Sequence, residues 1–173
     1  MDEPLEKSFV QQMQDALQKQ LSEFEAAKKK EQHDARIVAD EGAKRWRDLK
    51  DSLKRHVEEI NDGVVESLLS YSENTSGNEF NLKHELNDRT VQITFEPASA
   101  LISYQGKIGK GAFHARVVGG ALEYGWENIT RCDGVKPLRK FRLEEDETPA
   151  TFSTKEMSEI IIRCVVLEPA SKT

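Results

Sequence analysis

Between Pro4 and Pro97 the chain has no proline, and the stretch from Met1 to Ser72 is crowded with Glu, Lys, Gln, Arg, Leu and Ala. With no residue that locks φ or removes an N–H donor, nothing covalent interrupts a helix there. These side chains also lose least rotamer freedom on becoming helical. Beyond Tyr71 the composition turns to short alternating runs of Val, Ile, Phe, Tyr and Thr set off by glycine, which is strand and turn chemistry. The expected fold class is α+β. A long N-terminal helical segment, hairpin or coiled coil, precedes an antiparallel β-meander of about five to six strands and a C-terminal helix packed on the sheet.

Two apolar stripes mark the helical part. Val10, Met13, Leu17, Leu21 and Phe24 follow one another at intervals of 3, 4, 4 and 3, with Leu5 and Phe9 ahead of them. That narrow edge resembles a coiled-coil seam. The second stripe is Trp46, Leu49, Leu53, Val57, Ile60, Val64, Leu68 and Tyr71. Between them, Lys28 to Asp34 offers no apolar residue on the seam. One helix from Leu5 to Ser70 would measure on the order of 100 Å at 1.5 Å per residue. A hairpin broken within residues 28 to 42 is therefore expected, with a long dimeric coiled coil as the alternative. The domain expectation is an arm over residues 1–72, a polar linker over 73–79 and a sheet body over 80–173.

In the body, Phe80, Leu82, His84 and Leu86 alternate with polar residues, Asp88-Arg89 turns the chain, and Val91, Ile93 and Phe95 form the next strand. Ala100, Ile102 and Tyr104, then Phe113, Ala115 and Val117, then Leu122, Tyr124 and Trp126 continue the meander, and a weaker strand is expected over Leu138–Leu143. Ser153 with Glu156 forms a capping box ahead of Met157, Ile160, Ile161, Cys164 and Val165, and Pro169 closes that helix.

Charge excludes some functions. The net charge is −6, spread over both parts of the chain, which disfavours nucleic acid and anionic lipid as partners. The six basic residues among Lys44 to Arg55 surround Trp46 but are diluted by Asp48 and Asp51, which reads as a solvated helix face. The start lacks the basic and apolar regions of a secretory signal, and no apolar run is long enough for a membrane span. Cytoplasmic location is expected, with Cys132 and Cys164 as two reduced thiols.

Motifs for chemistry are weak. Gly106 to Gly111, with Lys107 and Lys110, matches neither phosphate-binding glycine pattern and precedes a strand, so it reads as a hairpin turn. His84 and His114 lie on different strands with too few companions for a metal site. No nucleophile has a base at a recognised spacing, and paired carboxylates such as Glu58-Glu59 fall on exposed segments. No enzyme activity, cofactor or metal is expected. The functional expectation is a non-catalytic cytosolic interaction or assembly protein, a dimer or partner binder, that acts through Leu17, Leu21, Phe24, Trp46, Leu49, Leu53 and Ile60. The alternative is a small apolar ligand held near Tyr104, Phe113, Tyr124 and Trp126, between a curved sheet and the terminal helix.

Overall fold

The structure, a computed structural model, describes residues 8–107, 109–130 and 151–167, with the backbone alone at 128–130. Leu5, Cys132, the strand expected over Leu138–Leu143 and Pro169 lie outside the described residues. The elements are α1 (Phe9–Asp62), β1 (Leu69–Glu73), β2 (Glu79–His84), β3 (Arg89–Glu96), β4 (Leu101–Gly106), β5 (Lys110–Val118), β6 (Ala121–Thr130) and α2 (Thr154–Val166). The chain forms two compact units, Met1–Arg36 and Ile37–Thr173.

The hairpin expected within residues 28 to 42 is not formed, because α1 runs as one helical segment through them. Lys, Glu, Gln, Ala and Arg are all good helix formers, so losing the apolar stripe for two turns removes a packing surface without breaking the helix.

The second unit holds a six-stranded sheet in the order β1-β2-β3-β4-β5-β6, every pair antiparallel. Period-two alternation places Phe80, Ile93 and Tyr104 in one inward row across β2, β3 and β4. Phe95, Ile102, Phe113 and Trp126 form another. Helix α2 covers this face with Met157, Ile161 and Val165 buried. Ser153 starts α2 as the sequence predicts, its Oγ accepting from the Glu156 N–H at 3.2 Å. Within this unit the α1 residues Trp46, Leu49, Leu53 and Val57 join the same core. The Trp46 ring stacks on Phe95 at 5.5 Å, and His56 Nδ1 lies 2.7 Å from the buried Ser158 Oγ of α2.

The second stripe leaves the helix earlier than its spacing implies. Asp62 ends α1, the N–H groups of Gly63 and Val64 bond back to Ile60 and Asn61 at 3.2 Å, and Leu68 and Tyr71 belong to an extended segment. The Asn61 side chain accounts for the change. Its Oδ1 accepts from the N–H groups of Leu68 and Leu69 at 3.1 and 3.0 Å, and its Nδ2 donates to the Leu69 carbonyl at 2.8 Å. Leu69–Glu73 then pairs with β2, and the polar segment expected as a linker is the loop of that hairpin, with Gly77 at φ 74°. The glycine-rich turn expected at Gly106–Gly111 is present, the Gly106 N–H donating to the Gly109 carbonyl at 2.8 Å.

Cys164, on the buried side of α2, is disulfide-bonded. The expectation of reduced thiols is corrected for this residue, since sequence spacing carries no information on the redox state of a pair.

Candidate functional site

In the first unit, helix α1 begins at a cap the apolar pattern did not reveal: Ser8 Oγ accepts from the Gln11 N–H at 3.2 Å. From Ser8 to His33 every side chain is exposed. Val10, Met13, Leu17, Leu21 and Phe24 lie along one edge of the helix, from 45% exposed at Met13 to 67% at Phe24. Lys19 and Glu23 sit on the opposite side, paired at 4.0 Å one turn apart. A pair so exposed contributes only tenths of a kcal/mol to the helix. The edge is thus a contiguous apolar stripe of large side chains, the surface feature that most often marks a contact with another macromolecule.

The seven interaction residues expected from sequence separate into two groups. Leu17, Leu21 and Phe24 are exposed in the first unit, and Ile60 is 38% exposed near the end of α1. Trp46, Leu49 and Leu53 are buried in the core of the second unit. Those three cannot present a surface to a partner while the body is folded, because the sheet already covers them.

The four rings expected to line a ligand pocket are also brought together, as packing. Tyr104 and Phe113 have ring centroids 5.8 Å apart, Phe152 lies against both Phe113 and Trp126, and none of the four is more than 3% exposed. The Trp126 Nε1–H donates to Tyr104 Oη at 2.9 Å and the Tyr124 hydroxyl to the Ala100 carbonyl at 2.9 Å. Burial pushes both phenols up to about 12, so they stay protonated across the physiological range. A concavity of about 350 Å³ does border Tyr124, but its other walls include Arg45, Glu123 and Glu156. It is not the apolar pocket the sequence pattern describes.

The histidines do not converge. His84 is on β2 and His114 on β5, with β3 and β4 between them, and His114 Nε2 lies 2.8 Å from Glu127 Oε2. Among the described residues no group of three or more His, Cys, Asp or Glu is placed to hold a metal ion. No helix among them is long and apolar enough to cross a membrane.

Among the described residues Lys50, Lys54 and Glu73 form an electrostatic cluster that joins α1 to β1 inside the second unit. Both ammonium groups also lie over rings, Lys50 over Trp46 and Lys54 over Tyr71. The hydrogen bond from Lys54 holds the Glu73 carboxyl below its ordinary range, partial burial opposing it and Lys50 reinforcing it. The same bond raises Lys54. A carboxyl lowered on folding stabilises the protein above its unfolded value and loses that contribution as pH falls through its folded value. Glu73→Gln is expected to cost about 1 kcal/mol or less near pH 7. Its denaturation midpoint should converge on that of the unsubstituted chain only as the pH is taken below the unfolded carboxyl's value of about 4.3 and on through the lower folded value. An equal gap at both pH values would mean that the contribution is packing and not charge.

Compared with protein-family models, with curated proteins and with solved structures, the chain matches none.

Proposed function

We propose that this chain is a non-catalytic assembly protein that self-associates through the apolar edge of its first helix, Val10 to Phe24, with the sheet body as the folded unit it brings along. The observation that supports the reading is the exposure of five large apolar side chains in line on a helix whose surroundings are otherwise polar. A lone helix of this length has little stability in water, since helices draw most of theirs from packing an apolar face. Covering the edge supplies that packing. Cytoplasmic residence belongs to the same reading.

Sedimentation equilibrium of the full chain tests the proposal. A mass above that of one chain, rising with concentration, is expected at micromolar protein. In a Leu17→Asp/Leu21→Asp variant the mass should fall to that of one chain, because an ionised carboxylate in an apolar contact is strongly disfavoured. The melting midpoint of the body should stay unchanged, since neither residue belongs to its core. A single-chain mass for the unsubstituted protein at every concentration overturns the proposal.

A further inference from the structure

We infer that the Val10–Phe24 edge is covered by a second copy lying antiparallel to the first, with the two Leu17 side chains on the two-fold axis. This rests on the self-association proposed above and adds its direction and register. The intervals 3, 4, 4 and 3 read the same from either end about Leu17. A copy turned end for end therefore sets Val10 against Phe24, Met13 against Leu21 and Leu17 against itself. That reciprocity is what a two-fold contact requires. Val10 and Leu21, like Met13 and Phe24, are eleven residues apart, a period close to that of a straight helix, so the edge stays nearly parallel to the axis and is usable along its length. Gln14 and Gln20 flank the edge and are also symmetric about Leu17. In the antiparallel pair each lies on the same flank as its own copy, and amides, which both donate and accept, can sit near one another there without repulsion.

Charge selects the direction. Lys28, Lys29 and Lys30 follow the edge as one exposed block, with Lys28 at the next interval of four after Phe24. A parallel pair aligned on the same edge would place the two blocks side by side and Lys28 directly against its mate. The antiparallel pair centred on Leu17 sends them to opposite ends, about 36 Å apart at 1.5 Å per residue. That is several times the screening length of about 8 Å at physiological ionic strength. The area is also adequate. At roughly 100 Å² for each of the five side chains, two copies withdraw on the order of 1,000 Å² from water, the lower end for a specific contact and suited to a reversible pair.

Disulfide trapping in the full chain tests the direction. Val10→Cys, Leu17→Cys and Phe24→Cys are oxidised singly, and Val10→Cys is also mixed with Phe24→Cys. Non-reducing electrophoresis reads the products against the unsubstituted chain. Leu17→Cys should link to itself. Val10→Cys and Phe24→Cys should each do so at least ~10-fold less, because two copies of either position sit about 21 Å apart along the axis, beyond the reach of a disulfide. The mixture should yield the linked pair. Efficient self-linking of Val10→Cys and Phe24→Cys would establish a parallel pair and overturn the inference. So would failure of Leu17→Cys to link in protein that sediments as a dimer. A single-chain mass in sedimentation would instead remove the self-association itself.

Discussion

Gly111→Ala is expected to destabilise the sheet body by on the order of 3 kcal/mol, a large effect for one methyl group. Gly111 on β5 is the register partner of Tyr104 on β4, and the phenol lies over the glycine. A Cβ built there would stand 2.5 Å from Tyr104 Cζ and 2.6 Å from the backbone oxygen of Glu127. Neither neighbour can give way cheaply. The ring is held by the indole N–H of Trp126 and by its contact with Phe113, and the carbonyl belongs to β6. Overpacking a site without slack forces backbone shifts that cost from about 1 to 3 kcal/mol and sometimes more. Chemical denaturation measures the loss. A Tyr104→Phe variant, which keeps the ring but leaves the buried Trp126 N–H without this acceptor, should lose about 1–3 kcal/mol. A Gly111→Ala protein as stable as its parent would contradict the packing of Tyr104 across β5.

Trp46→Ala should cost about 3–5 kcal/mol, the range for truncating a large buried aromatic. The substitution removes the ring stacked on Phe95 and the indole N–H that donates to the Gly77 carbonyl at 2.7 Å. That carbonyl keeps its longer bond from Lys50, at 3.2 Å. Because Gly77 lies in the loop joining β1 to β2, the loss falls on the hairpin as well as on the core. The contrast with Leu17→Asp makes the result informative, since the same helix should tolerate a charge at Leu17 and collapse its body on losing a ring at Trp46. A small effect at Trp46 would mean that its part of α1 does not belong to the core.

That contrast also shows where sequence reasoning stops. Both stripes on α1 have the same spacing, so periodicity identifies two apolar edges and cannot tell which one the body buries. The decision lies with non-local partners: Phe95 and the Gly77 carbonyl lie far from Trp46 in sequence and meet it only once the sheet exists. Strands β2 to β6 were legible because their period of two was intact and glycine, Pro97 or Asp88 marked the turns. The start of α2 was legible because a capping box is a local device. Strand β1 was hidden because Leu68 and Tyr71 continue a helical interval, while Leu69 and Tyr71 equally continue a strand. Asn61 and pairing with β2 settle the matter, and neither is a periodic signal. The hairpin expectation failed for a related reason, since the missing apolar residues of Lys28–Asp34 concern packing and not helix propensity. Of the expected interaction residues, exposure retains Leu17, Leu21, Phe24 and Ile60 as available surface.

The apolar edge Val10–Phe24 is proposed to be covered in solution by another copy of the chain. Amide hydrogen exchange across residues 9–36, followed over a hundredfold range of protein concentration, measures this most directly. Protection that rises with concentration, while that of the sheet strands stays constant, is the expected result, because a helix without a packed face opens readily. Protection in residues 9–36 that is low and independent of concentration would contradict the account.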